Sequence, residues 1–559
     1  MCKRIVLSLV FCVSTLLPVH GDEPQQKDFD VIIAGGSTAA FAAAIGAAQQ
    51  GATVALIEPT DWVGGQITSS GVPAIDEAWH KLAGNKGGAA MDVAKIARTP
   101  ANMPPLLRDM LDETGCPGDC WVSRFCFLPK PFLDAHLTPL QNQFDNLTVF
   151  KNTVVKSVRY SENRIQTIVA IRRTPKQPAY VSLPSVALPD WYSETPSARF
   201  DKQVINFSAK PNSVFIDATE WGEVLALSDA PYLIGVETSD GSLEGNDKIG
   251  QSITFGFVQK LHEKPDSRRD ANIPNPPCEQ LGFGDYEGKD RAWQLIWTYR
   301  RLASTQNAPT TGDLTLQNWG YYPNKNEGGN DYPFGYLFLD NAKTKQQRAN
   351  WIGGVDLEVM SKAEERAFAW HHYFKSRAPD DINADRISLD RDALGTVHGL
   401  SKLPYIRDTR RSIGLDNFLL KASDLAPTTP GRIAKRFEDR IALGAYPIDI
   451  HPLADTRYPD YINDQYETAP FTIPFRALTN KRHANLLVAG KTMAQSFLAN
   501  SATRLHPIEW STGTAAGISA AYMSKHKLTS REALGEVEKL QGLIKTRTPI
   551  DWMIDATTP

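Results

Sequence analysis

The stretch DFDVIIAGGSTAAFAAAIGAAQQGATVALIEP, Asp28 to Pro59, decides the fold. Val31 to Ala34 is a short apolar run suited to a buried parallel strand. It leads through Gly35, Gly36 and Ser37 into an alanine-rich run from Thr38 to Gln50 that Gly51 stops, and a β-branched run from Thr53 to Ile57 then ends at Glu58. This is one βαβ unit. In its dinucleotide-binding form the first glycine makes the tight turn, the second admits a pyrophosphate, and the third lets the helix pack on the strand. Gly35, Ser37 and Ala40 hold those positions. Alanine is an accepted third residue, whereas Ser37 brings a β-carbon toward the phosphate together with a hydroxyl able to donate to it. The pyrophosphate is expected on the helix N-terminus, along Gly36, Ser37, Thr38 and Ala39, where free amides and the dipole favour negative charge. Glu58 stands 23 positions past Gly35, where a carboxylate accepts both ribose hydroxyls of an adenosine; a 2′-phosphate would be repelled.

Six residues beyond Glu58 comes the pair Gly64 and Gly65, followed by Gln66. A nicotinamide-binding unit has little need of a second glycine pair there, but a chain running along a flavin cofactor does. Near the other end, HANLLVAGKTMAQS supplies a buried strand, Leu486 to Ala489, with Gly490 at its tip. ATRLHPIEWSTGTAAGISAAYM then opens a helix near Pro507, with Thr512 and Gly513 at the start of its small-residue face. A nucleotide-binding core begun near residue 28 and finished after residue 480 implies that the intervening chain is inserted into it, and the expected cofactor is FAD.

The chain of 559 residues is long enough for two lobes. Its composition, 42% hydrophobic and 22% charged with a net charge of −3, is that of an ordinary globular protein and argues against nucleic acid as a partner. At the N-terminus, Lys3 and Arg4 precede an apolar run from Ile5 to Val19 and a small residue, Gly21. This is the pattern of a signal peptide over residues 1–21, so the expectation is an exported protein, periplasmic or secreted, with no stable membrane insertion once the signal is removed. Cys116, Cys120, Cys126 and Cys278 would then remain, an even number that permits two disulfides of open pairing. No metal site is expected, because no His accompanies the closely spaced cysteines.

Further segments strengthen the flavin reading. VFIDATEWGEVLAL (Val214 to Leu227, with Asp217), NWGYYPNKNEGGNDYP, YIRDTRRSIG, YPIDIHP and IPFRAL…NLLVAGKTM occur in this order. Together with AGGSTAA they resemble a family of FAD-dependent oxidoreductases, many of them exported bacterial proteins, over about residues 28 to 525. Two positions depart from the family pattern: Glu223 and Asp408 stand where Asp and Glu are usual. The resemblance implies an α/β fold, with a Rossmann-like FAD-binding lobe of the glutathione-reductase type and a discontinuous α+β substrate lobe inserted into it. The FAD lobe is expected to combine 28–75, 148–228 and 480–530, the substrate or cap lobe 76–147 and 229–479, and 531–559 a helical tail.

For chemistry, His451 is a candidate proton acceptor with Asp449 to orient it, and His506 is a rival base beside the late helix. Arg407 and Arg410 offer guanidinium groups to clamp a carboxylate or help hold the cofactor. Arg504 and Glu509 could form a helix-end pair, and Tyr446 could place a hydroxyl in the site or pack in the core. The aromatic-rich span from Tyr286 to Phe374 suits sugar stacking near Asn318, Asn330 and Asp331, although aromatics in a large domain are mostly core. The expected activity is oxidation of a small organic substrate, a sugar derivative among the options, by hydride transfer to flavin N5 and on to an unknown electron acceptor. The competing readings are a secreted polysaccharide lyase or carbohydrate-binding protein on a relic nucleotide fold, and a flavoprotein without net redox chemistry.

Overall fold

The computed structural model describes residues 25–76, 99–178, 180–237, 245–304, 306–322, 327–428, 433–453 and 468–553. The signal-peptide segment lies outside them. Strand β1 (Gln25–Ala34) starts earlier than its apolar run requires and becomes fully buried only from Val31. Helix α1 (Thr38–Gln49) follows, then β2 (Val54–Ile57). Strands β3 (Leu147–Phe150), β4 (Thr153–Ser161), β5 (Arg164–Pro175) and β6 (Phe200–Asp217) complete a path ordered β3-β2-β1-β6-β5-β4. The β3-β2-β1-β6 pairs are parallel and β6-β5-β4 antiparallel, so the sheet is mixed.

A second sheet is formed by β7 (Phe257–Leu261), β8 (Arg301–Ala303), β9 (Leu314–Gln317) and β10 (Ile387–Asp390), with α2 (Ala292–Tyr299) leading into β8 and α3 (Leu357–Ser376) preceding β10. Trp293 and Trp297 share one face of α2, as their spacing requires, and stack at 5.0 Å; Phe374 of α3 lies 5.1 Å from Trp293. Those aromatics are therefore core.

The late strand β11 (Leu486–Val488) returns to the large sheet and pairs parallel with β6, Leu486 opposite Phe215. Helix α4 (His506–His526) then crosses α1. The crossing is backbone-close: a β-carbon on Gly513 would fall 2.2 Å from the Ala39 carbonyl oxygen, and one on Gly517 2.0 Å from that of Ala43. Glycine is required at these two points of closest approach, while Phe41 and Trp510 pack beside them with ring centroids 6.0 Å apart. Strands β1, β6 and β11 end on the same edge, so Gly35, Asp217 and Gly490 emerge together, where parallel α/β sheets bind ligands.

Cys120 and Cys126 form a disulfide, while Cys116 and Cys278 are free, so the expectation of two disulfides is corrected to one. The loop they close is anchored by pairing of Ala74 with Cys126 and by donation from Ser123 Oγ to the Ile75 carbonyl.

Candidate active site

At the carboxyl edge of the sheet, Gly35 donates its amide to the Ile57 carbonyl at 2.9 Å, and Gly36 turns with φ +115°. Ser37 caps α1: its Oγ accepts from the Ala40 amide at 3.1 Å and donates to the Ala218 carbonyl at 2.6 Å. The expected hydroxyl–phosphate bond is thereby corrected, since Ser37 spends its proton fastening α1 to the end of β6. Thr38 Oγ1 donates to the Gly64 carbonyl at 2.7 Å, and Gly65 (φ +57°) lies so close that a β-carbon there would meet Ser37 Cα at 2.5 Å. The second glycine pair is thus demanded by contact between two pieces of this chain.

From Glu58 the backbone runs past the N-terminus of α1 to Asp76. Along it, Gln66 Nε2 donates to the Arg504 carbonyl at 3.0 Å, the Val72 carbonyl accepts from His506 Nε2 at 3.0 Å, and the Asp76 amide donates to His506 Nδ1 at 3.2 Å. The early turn and the late helix therefore share one continuous wall, with Pro507 and Asp76 lining a small cleft at its far end. Both His506 nitrogens are bonded to backbone, and burial drives the ring's pKa down to about 3, helped by Lys491 and Arg504, so it has no lone pair for a substrate. The expectation of His506 as a base is corrected to that of a bracket.

Several expected contacts prove internal. The Asp217 carboxylate accepts from the Thr219 amide and hydroxyl and from the Leu225 amide; Thr512 Oγ1 donates to the Ile508 carbonyl within its own helix. Both fix backbone rather than reach outward. Arg410 is also corrected, because its guanidinium donates to the Trp221 and Gly354 carbonyls and to Thr344 Oγ1, away from the large cavity. Arg504 and Glu509 do not pair; Arg504 binds Asp449 at 2.9 Å, and Glu509 binds Lys491 at 2.7 Å. Lys491 also holds Glu220 at 3.0 Å.

The residues present suit an adenine dinucleotide. Glu58 is 1% exposed; Oε1 accepts from the Thr60 amide and hydroxyl, and Oε2 has no partner among the described residues. A buried carboxyl oxygen left without a partner is costly unless a ligand hydrogen-bonds to it, as a ribose diol would. A narrow cleft beside it is lined by Gly35, Gly36, Pro59, Trp191, Glu220 and Trp221. Burial pushes the Glu58 carboxyl up to about 8, against the pull of Thr60. The unfolded chain sheds this proton near 4.5 while the folded chain keeps it, so flavin-free protein should lose stability as pH rises from about 4.5 to about 8. Glu58→Gln should flatten that fall in thermal melts; an identical slope in the variant would refute the assignment.

The larger cavity, about 470 Å³, opens beside Asp76 and Arg504. His451 lines it, with its amide on Gln251 Oε1 at 2.9 Å and Nδ1 2.6 Å from Asp331 Oδ2. The other Asp331 oxygen is held by Arg407 at 3.0 Å and by Thr254 Oγ1. Burial raises the Asp331 pKa, but Arg407, His451 and Thr254 outweigh it and hold the group at about 2. An ionised carboxylate only accepts, so the ring donates to Asp331 through Nδ1, and Nε2 is the nitrogen left toward the cavity and Asp449. Asp449 does reach the ring, 3.6 Å from Nε2, but Asp331 makes the shorter contact, and Asp449 is also tied to Arg504. It is recessed yet 41% exposed to the cavity; burial raises its pKa, but His451 and Arg504 keep it well below the usual carboxylate range. Tyr446 is buried and also lines this cavity, with Tyr299, Asn318, Trp319 and Tyr405. Neither the pairing of Asp331 with His451 nor the placement of Arg300 has a local sequence signal, since their partners are 120 and 18 residues away.

The chain aligns with p-nitrophenol 4-monooxygenase PnpA from Pseudomonas putida DLL-E4 over 94% of its length and 88% of that chain, at 10% identity and TM-score 0.32. With an E. coli quinol fumarate reductase FrdA variant the figures are 94%, 74%, 12% and 0.31. The match to L-proline dehydrogenase from P. horikoshii spans 35% of this chain and only 24% of that one, at 16% identity and TM-score 0.16. Likeness at this level says nothing of reaction or substrate. No curated protein sequence matches. The family model described as FAD dependent oxidoreductase matches residues 30–181 and 199–544, and the chain belongs to that family of FAD-using enzymes.

Proposed function

We propose that the enzyme oxidises a hydroxyl-bearing small organic molecule, a sugar derivative among the options, in the cavity lined by His451. The observation that carries this reading is the His451–Asp331 pair, which leaves Nε2 toward the cavity as the proton acceptor. As the substrate's C–H and O–H bonds break to give a carbonyl, Nε2 takes the hydroxyl proton and the Asp331 carboxylate stabilises the resulting imidazolium. FAD supplies, when bound, a two-electron acceptor at N5 that receives the hydride. The start of α4 adds a fixed positive end. Tyr299 and Trp319 offer aromatic faces to a sugar ring.

In this reading the inserted segments 76–147 and 229–479 form the substrate side, the chain is exported, and the final electron acceptor is a separate small molecule or protein. Family membership removes the support for a polysaccharide lyase or carbohydrate-binding protein. Adding a panel of alcohols and sugars anaerobically to flavin-loaded protein should bleach the flavin absorption. If only dithionite does so, alcohol oxidation is refuted, and a flavin without net redox use takes its place.

A further inference from the structure

We infer that the substrate also carries a carboxylate and that Arg300 binds it, an inference that rests on the oxidation reading above and specifies its substrate class. Arg300 follows α2 directly and lines the cavity. Its guanidinium sits over the Tyr299 ring at 4.6 Å and the Trp319 ring at 5.5 Å, and Nη1 donates to the Asn318 carbonyl at 2.7 Å. The aromatic platform and this one bond orient the group while leaving its other donors available.

The remaining cavity cations are matched. Arg407 pairs with Asp331 and Arg504 with Asp449. No carboxylate among the described residues comes within 4.0 Å of the Arg300 guanidinium. Asp76 acts on it only at longer range, and burial raises that acid's pKa against the pull of Arg300 and Arg504, which weakens it as a counter-ion.

The free edge of Arg300 on the cavity wall only donates. A hydroxyl brings a donor with every acceptor, whereas a carboxylate brings two oxygens that only accept and that match the guanidinium edge in pairs. The substrate class is therefore a hydroxycarboxylate, sugar acids included.

The test uses full-length, FAD-loaded protein and reads ligand binding by perturbation of the flavin spectrum. Glycolate, lactate, gluconate and glucuronate are each titrated beside the corresponding neutral amide. At least one acid should bind about tenfold or more tightly than its amide, and Arg300→Gln should weaken the acid by about 10- to 100-fold while sparing the amide. Arg300→Lys should restore part of the loss. The inference is overturned if no acid outcompetes its amide, or if Arg300→Gln weakens acid and amide alike, the mark of a merely structural bracket. Acid binding through Arg300 without flavin bleaching would uphold the inference and sink the oxidation reading. Bleaching by neutral alcohols that ignores Arg300→Gln would do the reverse.

Discussion

Replacing His451 with Ala is expected to slow flavin reduction by the substrate about 100- to 10,000-fold, the usual contribution of a positioned proton acceptor. Bound FAD should stay near that of the parent protein, because the backbone amide, which the substitution keeps, makes the bond to Gln251, whereas the melting temperature should fall somewhat as Asp331 Oδ2 loses its partner. Removing the imidazole leaves Asp331 with Arg407 and Thr254 still satisfying one oxygen, so the buried acid is weakened but not stranded. Anaerobic stopped-flow at saturating substrate separates this from a binding defect: the limiting rate should collapse while the half-saturating concentration moves little. An unchanged limiting rate would remove His451 from the reaction and pass the role of base to another cavity group.

Gly65→Ala should have the second large effect, costing about 2–4 kcal/mol and most of the bound flavin. Two penalties coincide. The residue holds φ +57°, and the added methyl would stand 2.5 Å from Ser37 Cα and 2.6 Å from both the Ser37 carbonyl carbon and the Thr38 nitrogen. These are rigid backbone atoms at the N-terminus of α1, so relief means displacing the very amides on which a pyrophosphate would rest. Gly51→Ala is the control, because Gly51 has φ +83° but nothing within 4 Å of the added methyl. Its cost should be strain alone, with the flavin-to-protein absorbance ratio preserved. Equal losses in the two variants would show that close approach at Gly65 is unimportant.

Local pattern carried the nucleotide-binding part of the fold. The βαβ unit from Val31 to Glu58, the strand at Leu486 and the helix opening near Pro507 all announce themselves by short-range periodicity and glycine placement, and the structure forms each within a residue or two except at the start of β1, which lies six residues earlier. Side-chain destinations were less legible. Ser37, Asp217 and Thr512 look like ligand-facing groups by position, yet each satisfies nearby backbone, a use that depends on turn geometry invisible in composition. His451 keeps its sequence neighbour Asp449 3.6 Å from Nε2, but its shorter partner is Asp331, which chain folding brings 2.6 Å from Nδ1. Arg407 and Arg410 are three apart in one motif but diverge, one to the cavity wall and the other to the Trp221 and Gly354 carbonyls.

The pairing of β11 with β6 has a bearing on biogenesis. Until residues 486–488 leave the ribosome, the inner edge of the Val214–Asp217 segment is an open parallel edge, and α1 has no helix to cover its alanine face. The cofactor-binding core therefore closes only after more than four hundred residues beyond β2 have been made. Chaperone occupancy should accordingly be greatest on nascent chains that stop short of α4, and flavin capture should follow the synthesis of α4.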